Sequence, residues 1–290
     1  MTIAKIALAA IAVSATLVLS PMNASAQQLA VCSFHDYSIP NADFTNLNGI
    51  NNQNHMVGTY SYQGQYRSFL FNGARHDIAI SGALQTEVRG INNNDTMAGD
   101  FYDAKLQRQR GFLVNGRYLT VFDFPGAQAT IASATNDASV TVGQYYDRMG
   151  NEHGFVRYGT RMVAIDHPGA SSTGATGINN NGQISGVYQD GQGVNHGFLL
   201  VNGKFTDLNV PGADSTSALG IAPGGAVIGN YFKAGQGHGF IYDKGVYKDA
   251  SFPDGSQSTI PVGYNAKNVL TGGYIDENGS EHGFMASGCH

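Results

Sequence analysis

The chain contains no tryptophan, only two cysteines in 290 residues, and no more than 13% charged side chains. Each scarcity excludes something. Without tryptophan, a sugar-binding surface would have to stack its pyranose rings on tyrosine. With 16 basic against 21 acidic residues, a formal charge of −5 and no cluster of Lys and Arg, the chain lacks the footprint of a nucleic-acid partner, and the same balance argues against an anionic membrane surface. Apart from one apolar run, Ile6 to Leu19, no long hydrophobic stretch occurs. That run follows Lys5 and precedes Ala24-Ser25-Ala26, the pattern of a secretion signal and cleavage site. Residues 1–26 are therefore expected to be a signal peptide and residues 27–290 the mature domain, with no membrane span and a formal charge near −6 once Lys5 is removed. A secreted or periplasmic location follows. In such an oxidising compartment Cys32 and Cys289, close to either end of the mature chain, have one intramolecular pairing open to them, a disulfide that ties the ends together.

What is present is glycine, with 39 copies, tyrosine and phenylalanine, with 15 each, and repetition. A Gly-x-aromatic motif starts at Gly58, Gly99, Gly143, Gly186, Gly229 and Gly272, with steps of 41, 44, 43, 43 and 43 residues. His-Gly-Phe keeps the same beat at His153, His196, His238 and His282, and the first two copies read Arg67-Ser68-Phe69 and Arg110-Gly111-Phe112. A threonine recurs at Thr45, Thr86, Thr130, Thr173, Thr216 and Thr259, with Pro-Gly-Ala turns ahead of it at Pro125, Pro168 and Pro211. The fourth copy divides into short strands at about 172–179, 183–190, 195–201 and 203–210. The turns between them are Asn179-Asn180-Asn181-Gly182, Asp190-Gly191-Gln192-Gly193 and Asn202-Gly203, residues that accept positive φ. Four strands in about 43 residues is the size of a propeller blade.

The fold class expected is therefore all-β, a six-bladed β-propeller of four-stranded blades. The pairing implied by the middle hairpins sets Tyr188 opposite His196 and Gly186 opposite Phe198, and likewise Tyr145 with His153, Gly143 with Phe155, Tyr274 with His282 and Gly272 with Phe284. A glycine facing an aromatic leaves bare backbone for the ring to cover. The sixth copy stops after its third strand, near Ser287, and Val31 to Tyr37 resembles a fourth strand that precedes the first copy. The ring closes if that N-terminal strand completes the last blade.

Gly177-Ile178-Asn179-Asn180-Asn181-Gly182-Gln183-Ile184, followed by His196-Gly197-Phe198-Leu199, resembles the bacterial extracellular repeats named for a His-Ala-Phe (HAF) triplet. Glycine stands here in place of alanine. The resemblance covers the mature chain and implies a fold rather than an activity.

Candidate chemistry is sparse. The four histidines at equivalent blade positions read as packing, bonded to the facing tyrosine or a nearby aspartate, and no two are spaced as zinc ligands. Asp103, Asp147, Asp190 and Asp276 read as turn formers rather than calcium ligands. No metal and no cofactor is expected. Departures from the repeat are more informative, because a catalytic centre is asymmetric. Glu87 and Arg89 are the charged pair of the channel-lining strands, either an acid/base with an anion holder or a salt bridge between blades. Tyr146, Arg148 and His167 belong to the loops of one rim, and His167 joins Glu87 and Arg89 as a candidate catalytic group. The function expected is a non-catalytic, monomeric scaffold presenting rim loops to a glycan, a small ligand or a protein. The alternative is a hydrolase or lyase of a lactone or polysaccharide at the central channel.

Overall fold

In the computed structural model, which describes residues 28–29, 32–253 and 256–289, six four-stranded antiparallel sheets are arranged in a ring. Residues 1–26, the segment expected to be a signal peptide, Val31 and the C-terminal His290 lie outside the described residues. In the first five blades the strands run outward from the channel in chain order; blade four comprises Ser172–Ile178, Ile184–Gln189, Asn195–Val201 and Lys204–Leu208. Blade six has Ser258–Tyr264, Leu270–Ile275 and Glu281–Ser287 from the C-terminal end, and β2, Ser33–Asp36, as its outer strand.

Closure thus follows the expected scheme, β2 pairing antiparallel with Ser287 to Phe284 and Cys32 bonded to Cys289. A bond spanning 257 residues removes about 5 kcal/mol of chain entropy from the unfolded state in the loop-closure description. One feature was not expected: β1, Gln28–Leu29, pairs in parallel with Lys248–Asp249 as a fifth strand at the outer edge of blade five. The N-terminal segment therefore touches both of the last two blades.

The repeat residues each have a mechanical task. The predicted pairs Gly186–Phe198, Gly143–Phe155 and Gly272–Phe284 are all present. Phe69, Phe112, Phe155, Phe198, Phe240 and Phe284 are fully buried. A Cβ on Gly58 or Gly99 would come within 2.8 Å of the facing ring, which is why glycine alone fits there. All six threonine hydroxyls accept the N–H of the residue that enters the loop between blades, at 2.9–3.0 Å.

The asparagine of each Ile-Asn turn works through its side chain, not through positive φ. Asn179 has ordinary φ; Gly182 takes the left-handed position. Its Oδ1 accepts the N–H groups of Asn181 and Gln183, and its Nδ2 donates to the carbonyl of Ala222 in the next blade. Asn51, Asn92, Asn136 and Asn265 repeat both contacts, so amide-to-carbonyl bonds form a belt around one mouth of the channel.

The tyrosine–histidine pairs also hold, with His153, His196, His238 and His282 stacked on the facing tyrosines at ring distances of 5.0–5.1 Å. His196 bonds Asp190 at 3.1 Å and Asn209 at 2.9 Å, and Arg110 bonds Asp103 and Asp123 in the same way. The hairpin aspartates accept turn N–H groups, as expected; the Asn151 side-chain amide, then the N–H groups of Asn151 and Met149, draw the Asp147 carboxyl pKa down to about 2.

Candidate functional site

The innermost strand of every blade carries a β-bulge, and the bulged residues are Asn48, Arg89, Ser133, Thr176, Leu219 and Val262. A bulge leaves one residue out of the ladder and re-aims its side chain. All six side chains line a central cavity of about 370 Å³. The residue that follows is glycine except at Ala134, because adjacent backbones meet there: a Cβ on Gly90 would lie 2.8 Å from the Ser133 carbonyl, and one on Gly177 would lie 3.1 Å from Gly220. The bulge ring thus sits against a narrow glycine waist, beyond which come Ile50, Ile91, Ile178 and Ile221 and then the asparagine belt.

The cavity has two unlike halves. Blades one to four supply Asn48, Arg89, Ser133 and Thr176, whereas blades five and six supply Leu219 and Val262, with Ile260 beside them. Two polar members are spent on the fold: Asn48 donates to the Val88 carbonyl at 2.9 Å, and Thr176 to the Ala218 carbonyl at 2.7 Å. Arg89 behaves differently.

Arg89 Nε donates to Asp100 Oδ1 at 2.6 Å and its Nη2 to Glu87 Oε2 at 2.9 Å. Asp100 faces Glu87 across the first two strands of blade two and its side chain is only 3% exposed, so it acts as a buried anchor that fixes the guanidinium plane. Gln109 donates to its other oxygen at 3.1 Å. Glu87 and Arg89 stay reachable, at 21% and 32% side-chain exposure. The ion pairs lie within blade two and not between blades, the arrangement weighed from the sequence, because cross-strand register places Glu87 and Asp100 on one face with the bulged Arg89 curling over them.

Burial pushes the Glu87 carboxyl up against the lowering pull of Arg89 and of the Tyr66 hydroxyl of blade one. Burial, then the Glu87 charge, raises that hydroxyl to about 12. Burial alone would lower Arg89, but the two carboxylates hold it charged. A guanidinium has five N–H donors, and two are used here; the remaining donors and the free Glu87 oxygen lie side by side at the cavity.

Gln144 and Thr176 belong both to this cavity and to a polar crevice of about 500 Å³ that also includes Tyr146, Asn151, Glu152 and Asn195. Tyr146 donates to Glu152 at 3.3 Å, and burial raises the Glu152 carboxyl. Arg148 is exposed at the neighbouring hairpin, where its carbonyl accepts from Gln128. His167 does not join Glu87 and Arg89. It occupies the position of Phe124 and Phe252, stacks on Tyr188 at 3.7 Å, and bonds Asp207 at 2.9 Å. Among the described residues no group of three or more His, Cys, Asp or Glu side chains is placed to hold a metal ion. No helix among them is long and apolar enough to cross a membrane.

Asp100 and the bulge residues other than Arg89 were not singled out from the sequence. The signal available was the residue preceding the recurrent glycine of the innermost strand, which reads Asn, Arg, Ser, Thr, Leu and Val through the six copies while its neighbours stay constant in character.

No protein-family model and no curated protein matches the sequence. Among solved structures the chain is similar to Aleuria aurantia lectin in complex with Fucα1-6GlcNAc, at 10% identity over 87% of this chain and 93% of that one, with TM-score 0.53. It is similar to a putative gluconolactonase at 12% identity, 91% and 95% coverage and TM-score 0.53. TolB from Acinetobacter baumannii matches at 13% identity and TM-score 0.55 over 77% of this chain, which spans 60% of TolB. At such identities the likeness is one of fold.

Proposed function

We propose that the protein is a secreted or periplasmic, monomeric binding propeller of the HAF-repeat type, with residues 1–26 as signal and 27–290 as the propeller. Its ligand is a small hydroxylated molecule, such as a terminal sugar of a glycan, held in the channel cavity. The observation that carries this reading is the pairing of a donor edge, Arg89, with an acceptor edge, Glu87, opposite an aliphatic wall of Leu219, Ile260 and Val262. Vicinal hydroxyls both donate and accept, and one face of a sugar ring is apolar; the cavity matches the two properties together. The cluster of one cation and two carboxylates disfavours an anion there. The crevice through Gln144 and Tyr146 offers further polar contacts, and Arg148 is exposed on the hairpin that supplies Gly150 and Asn151 to it. His167 serves the rim as a packing residue.

The test is a glycan array followed by calorimetry on the mature protein. Glu87→Gln should weaken binding about tenfold or more while the melting temperature stays put, since one charge-assisted hydrogen bond contributes about 1.5–3 kcal/mol. Binding that is indifferent to Glu87→Gln would end this reading. A second reading, a hydrolase or lyase at the same cavity, draws on the Glu87 carboxyl, raised by burial, beside Arg89 at the channel. Turnover of a lactone or polysaccharide that Glu87→Gln abolishes would replace binding by catalysis.

A further inference from the structure

The asparagine belt is interrupted once. In blade five the belt positions are Ala222 and Pro223 where blade four has Asn179 and Asn180, so no side-chain amide reaches the next blade. The carbonyls of Asn51, Asn92, Asn136, Asn179 and Ala222 each accept one turn N–H and one asparagine Nδ2 from the preceding blade. Among the described residues the Asn265 carbonyl accepts only the turn N–H of Asn268, at 3.2 Å. At this interruption a notch of about 430 Å³ opens between blades five and six.

Its lining is unlike that of the channel. Ala226, Ile241 and Pro223 are apolar; Lys244, Lys248 and Asp243 are charged. Lys248 stands opposite Ile241 in the sheet and therefore shares the face that Ile241 packs towards Leu270 and Ala286 of blade six. It is half-buried, and neither it nor Lys244 has an ion-pair or hydrogen-bond partner among the described residues. Asp243 lies near the Tyr264 hydroxyl, whose pKa is raised by burial and then by that carboxylate; the hydroxyl itself is spent on the Cys289 carbonyl at 2.7 Å.

We infer that this notch is a second binding site, for a small hydroxylated carboxylate such as a sugar acid. Two ammonium groups without partners among the described residues call for an anion, and they outnumber the one carboxylate. The Asn265 carbonyl and Asp243 accept but do not donate, so they call for hydroxyls on the same ligand. The apolar side of the notch takes the carbon skeleton. The vacated amide position at Ala222 gives the ligand the room that asparagine fills elsewhere. The notch meets the channel cavity at Tyr264 but includes neither Glu87 nor Arg89, so the inference stands independently of the proposed function.

The experiment is an NMR and calorimetric titration of the mature protein with galacturonate, and with galactose as the neutral analogue. Galacturonate should bind saturably and lose affinity with added salt, and galactose should bind at this site about tenfold more weakly or not at all. Lys248→Gln should lower the galacturonate affinity about tenfold. Ala222→Asn, which restores the belt amide, should abolish it without lowering the melting temperature. Glu87→Gln should leave it unchanged, which separates the two sites. Absence of saturable galacturonate binding, equal binding of galactose in the notch, or an Ala222→Asn protein that binds as before would overturn the inference.

Discussion

In blade four the bulged residue is Thr176, whose hydroxyl is spent on the Ala218 carbonyl and the neighbouring Ser185; in blade two it is Arg89, fixed by Asp100 and Glu87 with donors left over. The two strands share backbone, bulge and glycine waist. They differ in what a side chain does after the ladder has released it. In blade four it closes the seam to the next blade, and in blade two it is held by its own blade and turned to the cavity. In this propeller the positions that repeat maintain the ring, and the positions that the bulge frees carry whatever chemistry the channel has.

The two blades should differ most at the bulge itself. Arg89→Ala leaves Asp100 buried beside an uncompensated space and should cost about 3–5 kcal/mol in chemical denaturation. Thr176→Val, at the same place in blade four, should cost about 0.5–1.5 kcal/mol, one hydrogen bond. Equal costs would mean that the Arg89 cluster is not the buried network described. A smaller effect sharpens the shared part: Asn92→Ala in blade two and Asn179→Ala in blade four should each cost about 1–3 kcal/mol, because each leaves turn and belt groups unpaired. A marked difference between these two would deny that the belt is one repeating device.

The smallest effect concerns pH. Arg110 and His196 hold equivalent places, and only the histidine titrates near neutrality. Burial alone would lower the His196 pKa, but the bonds to Asp190 and Asn209 outweigh it and raise it. A raised folded-state pKa gives stability that is complete below the ordinary value of 6.5 and is lost as pH climbs through the raised one. His196→Arg should flatten that decline in melting temperature above neutrality. If the slope persists in the variant, His196 is not its source.

Much of the architecture was legible because its signals are local and recur six times. The Gly186–Phe198 and Tyr188–His196 register followed from one hairpin centre, and the closing strand and the disulfide from the ends of the repeat. Belt chemistry was half legible: Asn179 marked a turn, but the partner of its Nδ2 is 43 residues away in another sheet. The parallel pairing of β1 with blade five had no local signal, since two residues cannot declare an edge 220 residues on. Glu87 and Arg89 stood out by charge, whereas Asp100 was hidden as the variable residue of a packing motif.

The amino-acid sequence by itself determined the number of blades, the cross-strand pairs and the join between the ends, because period, turn residues and glycine-aromatic matching act over one hairpin. Tertiary structure alone decided which side chains meet at the axis. Ring closure brings six distant bulges within one cavity and so sets the Arg89 edge opposite the aliphatic wall of blades five and six. The belt is likewise complete or broken only when blades are set side by side, so the notch at Ala222 exists in the ring and not in the repeat.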